Sequence, residues 1–533
     1  MSSIASLATS EKHEKNDVRF DKLEPVDEGN LHEAEVGYDI YLEAKEGLEW
    51  DAEEEKRVLR KIDFWILPAF CLTQGLAFLD KTALNYGNLF GMQKDLHTHG
   101  DQFSWFASAF YLGYLVSAEP STWLLQRYPT GKVMGIVCFF WGIVVMTTAA
   151  CRSFAGALVN RIVLGSLEAV VTPGLGLMTP FWWTLQEQPV RHLSWYCFNG
   201  VAGIVGDFLS YGLGHVTDAK VPNWALIFLV LGGFTTLWGT YLFFFLPDSP
   251  VEAHFLNQRE KAIAIKRVAG NRTGIKNKQF KVYQMKQAFL DPKTYFLFFA
   301  AVAAQIPNGV TTNFSSIIIK SMGFTQFQTV LLDIPSSILQ IVSLVGSGYL
   351  AGKFPNSRAI MMFIGNSVCI IAAAVLTYGP KDEKWGRLVA FWFTAFASVG
   401  FSLSLVMVSA NVGGFTKRQV TAAVTFMGYC IGLYFLTELS AQHQNIAGPH
   451  VVIDTEADVG FPTATKAMMA GYTVKTGCHL ILGLYMWYEN CRRDKLAAKE
   501  GYALPEAERN KLAEEAGMND VTEADNKWFR YVL

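Results

Sequence analysis

Apolar blocks of about 20 residues, the length that crosses a bilayer core as a helix, recur twelve times along this 533-residue chain. No other feature limits the fold so tightly. Inside lipid every backbone N–H and C=O must be satisfied within the protein, so only helices and closed barrels span. The blocks are continuous rather than alternating, which selects helices. They fall at 62–87, 103–125, 132–151, 154–180, 193–217 and 224–246, and after a long polar stretch at 294–318, 327–351, 358–378, 387–411, 419–441 and 470–489. In the first window hydrophobicity fades after Leu79, yet 83–90 continues without a turn signal. It reads as one long helix whose second half meets polar surroundings. Charged residues make up 17% of the chain, against about 25% in an average soluble domain. The expected fold class is an all-α membrane protein with 12 transmembrane helices.

Residues 1–55 carry 17 acidic and 5 basic side chains and few large apolar ones, the composition of a disordered acidic tail. They contain no apolar core of signal-peptide type, so span one is expected to act as the insertion signal. The short loops and entrances on one side, with the central stretch 247–293, hold 17 Lys and Arg; those on the other hold 8. Arg57, Arg60 and Lys61 precede span one, and Arg492, Arg493 and Lys495 follow span twelve. By the positive-inside rule both termini are expected in the cytoplasm. A net charge of −2 gives no reason to expect nucleic acid. The eight cysteines form no CxxC pair and mostly sit inside apolar blocks, so neither disulfides, a metal nor a cofactor is expected.

An internal repeat divides the chain. Span two is followed by Gln126-Arg127-Tyr128-Pro129-Thr130-Gly131-Lys132, and span eight by Gly352-Lys353-Phe354-Pro355-Asn356-Ser357-Arg358, at an offset of 226. Asn85-Tyr86-Gly87 in span one and Asn313-Phe314-Ser315 in span seven match at nearly the same offset. Two six-span pseudo-symmetric halves joined by a basic loop are the layout of a rocker transporter. The expected units are a tail at 1–55, a first half at 56–246, a linker at 247–293, a second half at 294–490 and a cytoplasmic tail at 491–533.

Several motifs together carry a family resemblance. They include Asp80-Lys81 in span one, Arg161 with Glu168 in span four, and Leu246-Pro247-Asp248-Ser249-Pro250 after span six. Further matches are Gly100-Asp101-Gln102-Phe103-Ser104-Trp105 with Ala109-Phe110-Tyr111-Leu112-Gly113-Tyr114, Ile306-Pro307-Asn308-Gly309, Glu489-Asn490-Cys491-Arg492-Arg493-Asp494 and Phe529-Arg530-Tyr531-Val532-Leu533. From about residue 56 onward the chain resembles the anion:cation symporter branch of the major facilitator superfamily, and within it the fungal allantoate permease group. It departs from that pattern at Gln126, where the superfamily motif has an Asp, and near Ser440-Ala441-Gln442, where a Gly-Pro-Gln element is expected. Glu438 and Asp207 are also unusual for the group.

A charge at mid-bilayer must face a partner or water. Arg161 and Glu168 are seven residues apart, so both lie on one helical face, roughly 10 Å apart along the axis. The resemblance implies an anion-binding role for Arg161 and a proton-carrying role for Glu168; a structural pair satisfied by other helices is the alternative. Lys81 shares a face with Asn85 and Asn88, and is read as lining the pathway rather than snorkelling. Asp80 is a second candidate proton carrier. Gln305, Asn308 and Asn313 give span seven a polar face, and Pro307 with Gly309 predicts either a broken helix or an ordinary proline kink there. Lys475 and His479 are read as packing against headgroups, Glu119-Pro120 as a kink, and Asp333 as a wet gate residue. Asp207 and Glu438 are further charged candidates. Trp182, Trp195, Tyr196 and Tyr429 stay outside the site, as lipid-facing or core aromatics.

The leading functional expectation is proton-coupled import of a small organic carboxylate by a monomer in the plasma membrane, with protons and membrane lipid as the other partners. The resemblance suggests allantoate, ureidosuccinate, a vitamin acid such as nicotinate, or a short peptide. A proton antiporter exporting a secondary metabolite and a non-transporting nutrient receptor are the competing readings. An enzyme is not expected: no G-x-S-x-G, P-loop or clustered His/Cys element is present.

Overall fold

A helix occupies each of the twelve windows in the computed structural model, which describes residues 50–99, 102–184, 187–216, 220–269, 281–354, 356–442, 456, 460–500, 504–518 and 521–533. Among these, seven helices are long and apolar enough to cross a membrane by composition alone. The other five are Gln102–Arg127, Gln188–Gly214, Pro292–Ser321, Phe415–Gln442 and Pro462–Glu500. They carry polar side chains such as Asn199, Asp207, Gln305, Asn313, Lys475 and His479, all of which are buried inside the protein. Lipid therefore meets few of these polar groups, and burial rather than hydropathy explains how these helices span.

The two halves repeat one packing scheme. In the first, span one (Ala52–Leu89) packs on span five (Gln188–Gly214), and span three (Thr130–Thr148) on span six (Asn223–Phe245). In the second, span seven (Pro292–Ser321) packs on span eleven (Phe415–Gln442), and span nine (Arg358–Tyr378) on span twelve (Pro462–Glu500). Across the halves, span one meets seven, two meets eleven, and five meets eight (Gln326–Lys353). Spans three and six approach closely because a Cβ on Gly142 would strike Thr236 and the Gly232 carbonyl. Small residues at such crossings are the usual packing device between membrane helices.

Local chemistry corrects several expectations. Residues 50–55, read as tail, begin span one: Asp51 caps the helix by accepting from the Glu54 N–H at 2.6 Å, and Glu53, Glu54 and Glu55 fill its first turn. That arrangement suits the positive end of the helix dipole. Residues 1–49 lie outside the described residues. Span seven is one continuous helix through Pro307, not a broken one. Span ten is interrupted instead, as is span four, and carries a 3₁₀ turn at Thr394–Phe396 between Lys384–Phe393 and Ala397–Asn411. Lys475 donates to the Ala397 carbonyl there at 2.8 Å, and His479 contacts Asn366 at 3.0 Å. Both are almost wholly buried, so neither packs against headgroups. Pro120 lies within the continuous helix Gln102–Arg127; the Glu119 side chain lies outside the described residues.

The side that carries the tails is laced by ions. The linker helix Gln258–Ala269 is tied to span one through Arg259–Glu54 at 2.6 Å, Arg267–Glu55 at 2.9 Å and Lys61–Glu260 at 2.6 Å. Residues 521–533, expected as part of a cytoplasmic tail at 491–533, are seated in the second half. Glu523 is fully buried and pairs with Lys293 at 2.8 Å and with Lys417, while Asp291 pairs with the same two lysines at 2.9 Å each. Asn411 and Asn490 each exchange two hydrogen bonds with the backbone of 531–532.

Burial alone would raise the Asp291 carboxyl, but Lys293 and Lys417 outweigh it and hold it at about 2. An unfolded aspartate titrates near 3.9, so the stability Asp291 contributes is complete above that value and is lost as pH falls through about 2. Removing one partner of a buried pair typically costs about 3–5 kcal/mol, because the remaining charge is left unpaired. Glu523→Gln is therefore expected to lower the thermal unfolding midpoint of the detergent-solubilised protein markedly. An unchanged midpoint would show that the seated segment does not brace the second half.

Candidate functional site

Span four is built as two helical pieces. Its first, Phe154–Glu168, starts at Ser153, whose hydroxyl accepts from the Gly156 N–H at 3.3 Å. The second runs Val171–Trp182. The interruption falls where Pro173 has no N–H to offer the Ala169 carbonyl, so Glu168 stands at a helix end inside the protein. Span two is pressed against this face. A Cβ on Gly165 would strike the Phe110 carbonyl, and one on Gly113 the Ile162 carbonyl. That contact fixes the direction in which Arg161 and Glu168 point.

Four ionisable side chains meet here. The Lys81 ammonium lies 2.6 Å from Glu168 Oε1 and sits over the rings of Phe110 and Tyr114 at 5.7 and 5.9 Å. Asp80, pointing elsewhere, accepts from the Trp141 indole N–H at 3.0 Å. Its charge also acts on Arg161. The Arg161 guanidinium lies over Phe228 at 5.3 Å, while its Nε and Nη2 are buried with no hydrogen-bond partner, as are Asp80 Oδ1 and Glu168 Oε2. Lys81, Arg161 and Asn313 share the wall of one small cavity with Phe106, Phe110 and Tyr111. The cluster can therefore hold two positive and two negative charges, with donor positions left vacant on the arginine.

Among the described residues, Asn313 alone of the other candidates reaches this cavity. Asn85 bridges to Ser315 and Ser316 of span seven at 3.0 and 2.8 Å. Asn308 donates to Gln305 at 2.9 Å, and Asn313 to the Gly309 carbonyl at 2.9 Å, so these amides are largely occupied within span seven. Asp207 accepts from the Tyr86 hydroxyl at 2.8 Å in a separate cluster. The Glu438 side chain lies outside the described residues.

Sequence reasoning missed the aromatic wall. Tyr111 meets Tyr429 at 6.1 Å, Tyr114 meets Phe426 at 5.4 Å, and Phe426 stacks on Tyr429 at 5.7 Å, joining spans two and eleven beside Lys81. Tyr111 and Tyr114 flank Gly113 at helical spacing, a signal that was present. Trp141 gave none, since an indole in an apolar span reads as core.

The comparisons with known proteins agree with this architecture. The family model of the Major Facilitator Superfamily matches residues 70–435. An uncharacterized transporter of Schizosaccharomyces pombe is 35% identical over 92% of this chain and 90% of its own length. The allantoate permease of Saccharomyces cerevisiae is 30% identical, covering 92% and 89% respectively. A thiamine pathway transporter of the same yeast is 30% identical, covering 90% and 87%. Among solved structures, the D-xylose-proton symporter superposes with a TM-score of 0.58 at 12% identity, covering 80% of this chain and 97% of that one; this likeness bears on the fold alone.

If Lys81 and Glu168 are a true pair, removing one charge should cost more than removing both, because the lone survivor stays buried and unpaired. Lys81→Met should lower the thermal midpoint, and adding Glu168→Gln should restore most of the loss. Strictly additive losses in this double-mutant cycle would show that the two side chains are not coupled.

Proposed function

The chain belongs to the Major Facilitator Superfamily, and from that premise we propose that this secondary transporter imports a small organic carboxylate together with protons. The observation that carries the reading is the Lys81–Glu168 ion pair beside the vacant donors of Arg161. A carboxylate entering the cavity finds Arg161 with unpaired N–H groups and Lys81 occupied by Glu168. A guanidinium offers the substrate a bidentate fork, and Lys81 a compact point charge. The substrate competes with Glu168 for the lysine, and a displaced, buried carboxylate is costly unless it takes a proton. Proton and anion then favour one another's binding, and the linkage is reciprocal.

Charge balance supports the same reading. Asp80, Lys81, Arg161 and Glu168 sum to zero when all are ionised. One monovalent anion plus one proton on Glu168 restores zero, and a neutral cluster is the form least opposed by the low-dielectric interior. Trp141 would keep Asp80 in place through the cycle. Tyr111, Tyr114 and Tyr429 would wall the substrate. Allantoate, the substrate named for one relative, is a carboxylate of this class. The seventeen basic residues on the tail side support a cytoplasmic location for both termini, with the plasma membrane as the proposed site of action.

Glu168→Gln mimics the protonated carboxyl permanently. In proteoliposomes it is expected to keep substrate exchange, which needs no net proton movement, and to lose accumulation driven by a pH gradient. Arg161→Lys is expected to raise the apparent KM or abolish uptake, since the fork is lost. A Glu168→Gln protein that still concentrates a radiolabelled carboxylate as the parent does would refute the coupling role.

A further inference from the structure

A second polar cluster joins the two halves away from the Lys81–Glu168 pair, at the ends of spans one and seven remote from the tails. Asn85 donates to Ser315 and Ser316 and accepts from the Ser316 N–H at 3.1 Å. Each side of this bridge is steadied by a carboxylate from another helix. The Tyr86 hydroxyl, next to Asn85, donates to Asp207 of span five at 2.8 Å. The Ser315 hydroxyl donates to Asp333 of span eight at 2.7 Å. Asp207 is 1% exposed, Asp333 is half-buried, and the charge of Asp333 acts on both Asp207 and Tyr86. Ser210, one turn beyond Asp207 on the same face, is fully buried with its hydroxyl unpartnered.

No lysine, arginine or histidine among the described residues forms an ion pair with either carboxyl. Asp207 is bonded to the Tyr86 hydroxyl and Asp333 to the Ser315 hydroxyl, and spans five and eight, which carry the two carboxyls, pack on one another; Asp333 is the charged neighbour acting on Asp207 and Tyr86. Two ionised carboxylates here repel one another in a medium that screens poorly.

We propose that Asp207 and Asp333 form a proton-binding pair that closes the junction between spans one and seven, distinct from the Lys81–Glu168 pair. With both ionised, repulsion separates spans five and eight and draws Tyr86 and Ser315 away from the Asn85 bridge. Opening admits water, which solvates both charges. One proton from that water, bound to a carboxylate oxygen, removes the repulsion. The second oxygen of the protonated carboxyl still accepts from its hydroxyl partner, and the new O–H can donate in turn. Closing therefore takes up a proton, and acid favours the closed junction by linkage. The proton returns to the side it came from when the junction reopens, so it gates the cycle without adding to the transported stoichiometry. The proposal goes beyond the import reading and does not depend on which solute is carried.

The test is a distance measurement without substrate or gradient. Spin labels are placed through Lys94→Cys and Lys320→Cys, both exposed near the ends of spans one and seven, in the full chain with its eight native cysteines replaced by serine. The ratio of short to long distances should rise on the order of ten-fold on going from about pH 8 to about pH 5, a size usual for such couplings. Asp207→Asn with Asp333→Asn should hold the short distance at both pH values. Asp333→Asn alone, which leaves the more buried Asp207 intact, should weaken the response if the double variant does not fold, and Asp333→Glu should retain it. Distances in the parent that ignore pH, or a response that survives in the double variant, would overturn the proposal. So would loss of the response in Glu168→Gln. Any of these failures leaves the gradient-driven accumulation test of Glu168 standing, because that test reads a different quantity.

Discussion

An ion in the bilayer interior costs from about 3 kcal/mol to well beyond 10, depending on how far water and snorkelling relieve it. The arrangement of the first half answers that cost. Lys81 and Glu168 neutralise one another at 2.6 Å, and Asp80 leans on an indole N–H and on the field of Arg161. Gly113 of span two and Gly165 of span four let those two helices meet backbone to backbone, so the face of span four that carries Arg161 and Glu168 is held in a packed crossing. The arginine is the exception: buried, stacked on Phe228, and left with unused donors. A stable protein retains such a group at a cost, and under the proposed carboxylate import the bound anion would be the compensation.

Much of this was legible in the sequence because it rests on periodicity and on rarity. Apolar length marked the spans, and the offset of 226 marked the two halves. Charged residues inside apolar blocks are so uncommon that Asp80, Lys81, Arg161 and Glu168 stood out without any structure. Pairing was not legible. Spacing puts Arg161 and Glu168 on one face, but it is silent on which helix supplies the cation that meets Glu168, which is Lys81 of span one. Proline misled in span seven, where Pro307 is absorbed in a continuous helix, and went unread in span four, where Pro173 accompanies a real interruption. A neighbour decides such cases: Gly471 of span twelve lies against the Ala303 carbonyl and Pro307, packing where the proline leaves a gap in the hydrogen-bond ladder.

The repeat continues into the way each half is closed on the tail side. After span six, Asp248 accepts from the Gly131 N–H at the start of span three, where a carboxylate suits the positive helix end. In the second half the corresponding start, at span nine, is met by residue 533, which accepts from the Arg358 N–H at 3.1 Å and donates to Asn356 at 3.2 Å. Both halves thus have a later segment of chain laid across the first turn of their third helix. In the first half that segment is a short loop. In the second it is a strap anchored by Glu523 and by the paired amides of Asn411 and Asn490.

The strap also sets an order of assembly. Lys293 enters the growing chain 230 residues before Glu523, and Lys417 does so 106 residues before it. At the usual pace of synthesis the gap for Lys293 is on the order of tens of seconds. Throughout that interval Asp291 is the only acid of the cluster yet made, first for Lys293 alone and later for Lys293 and Lys417 together. The second half can thread all six helices into the membrane and still present an unfinished, positively charged face on the side that carries the tails. Its completion is a late, single event that ties five helices together. A nascent chain halted shortly before residue 523 would be fully inserted yet chemically marked as incomplete.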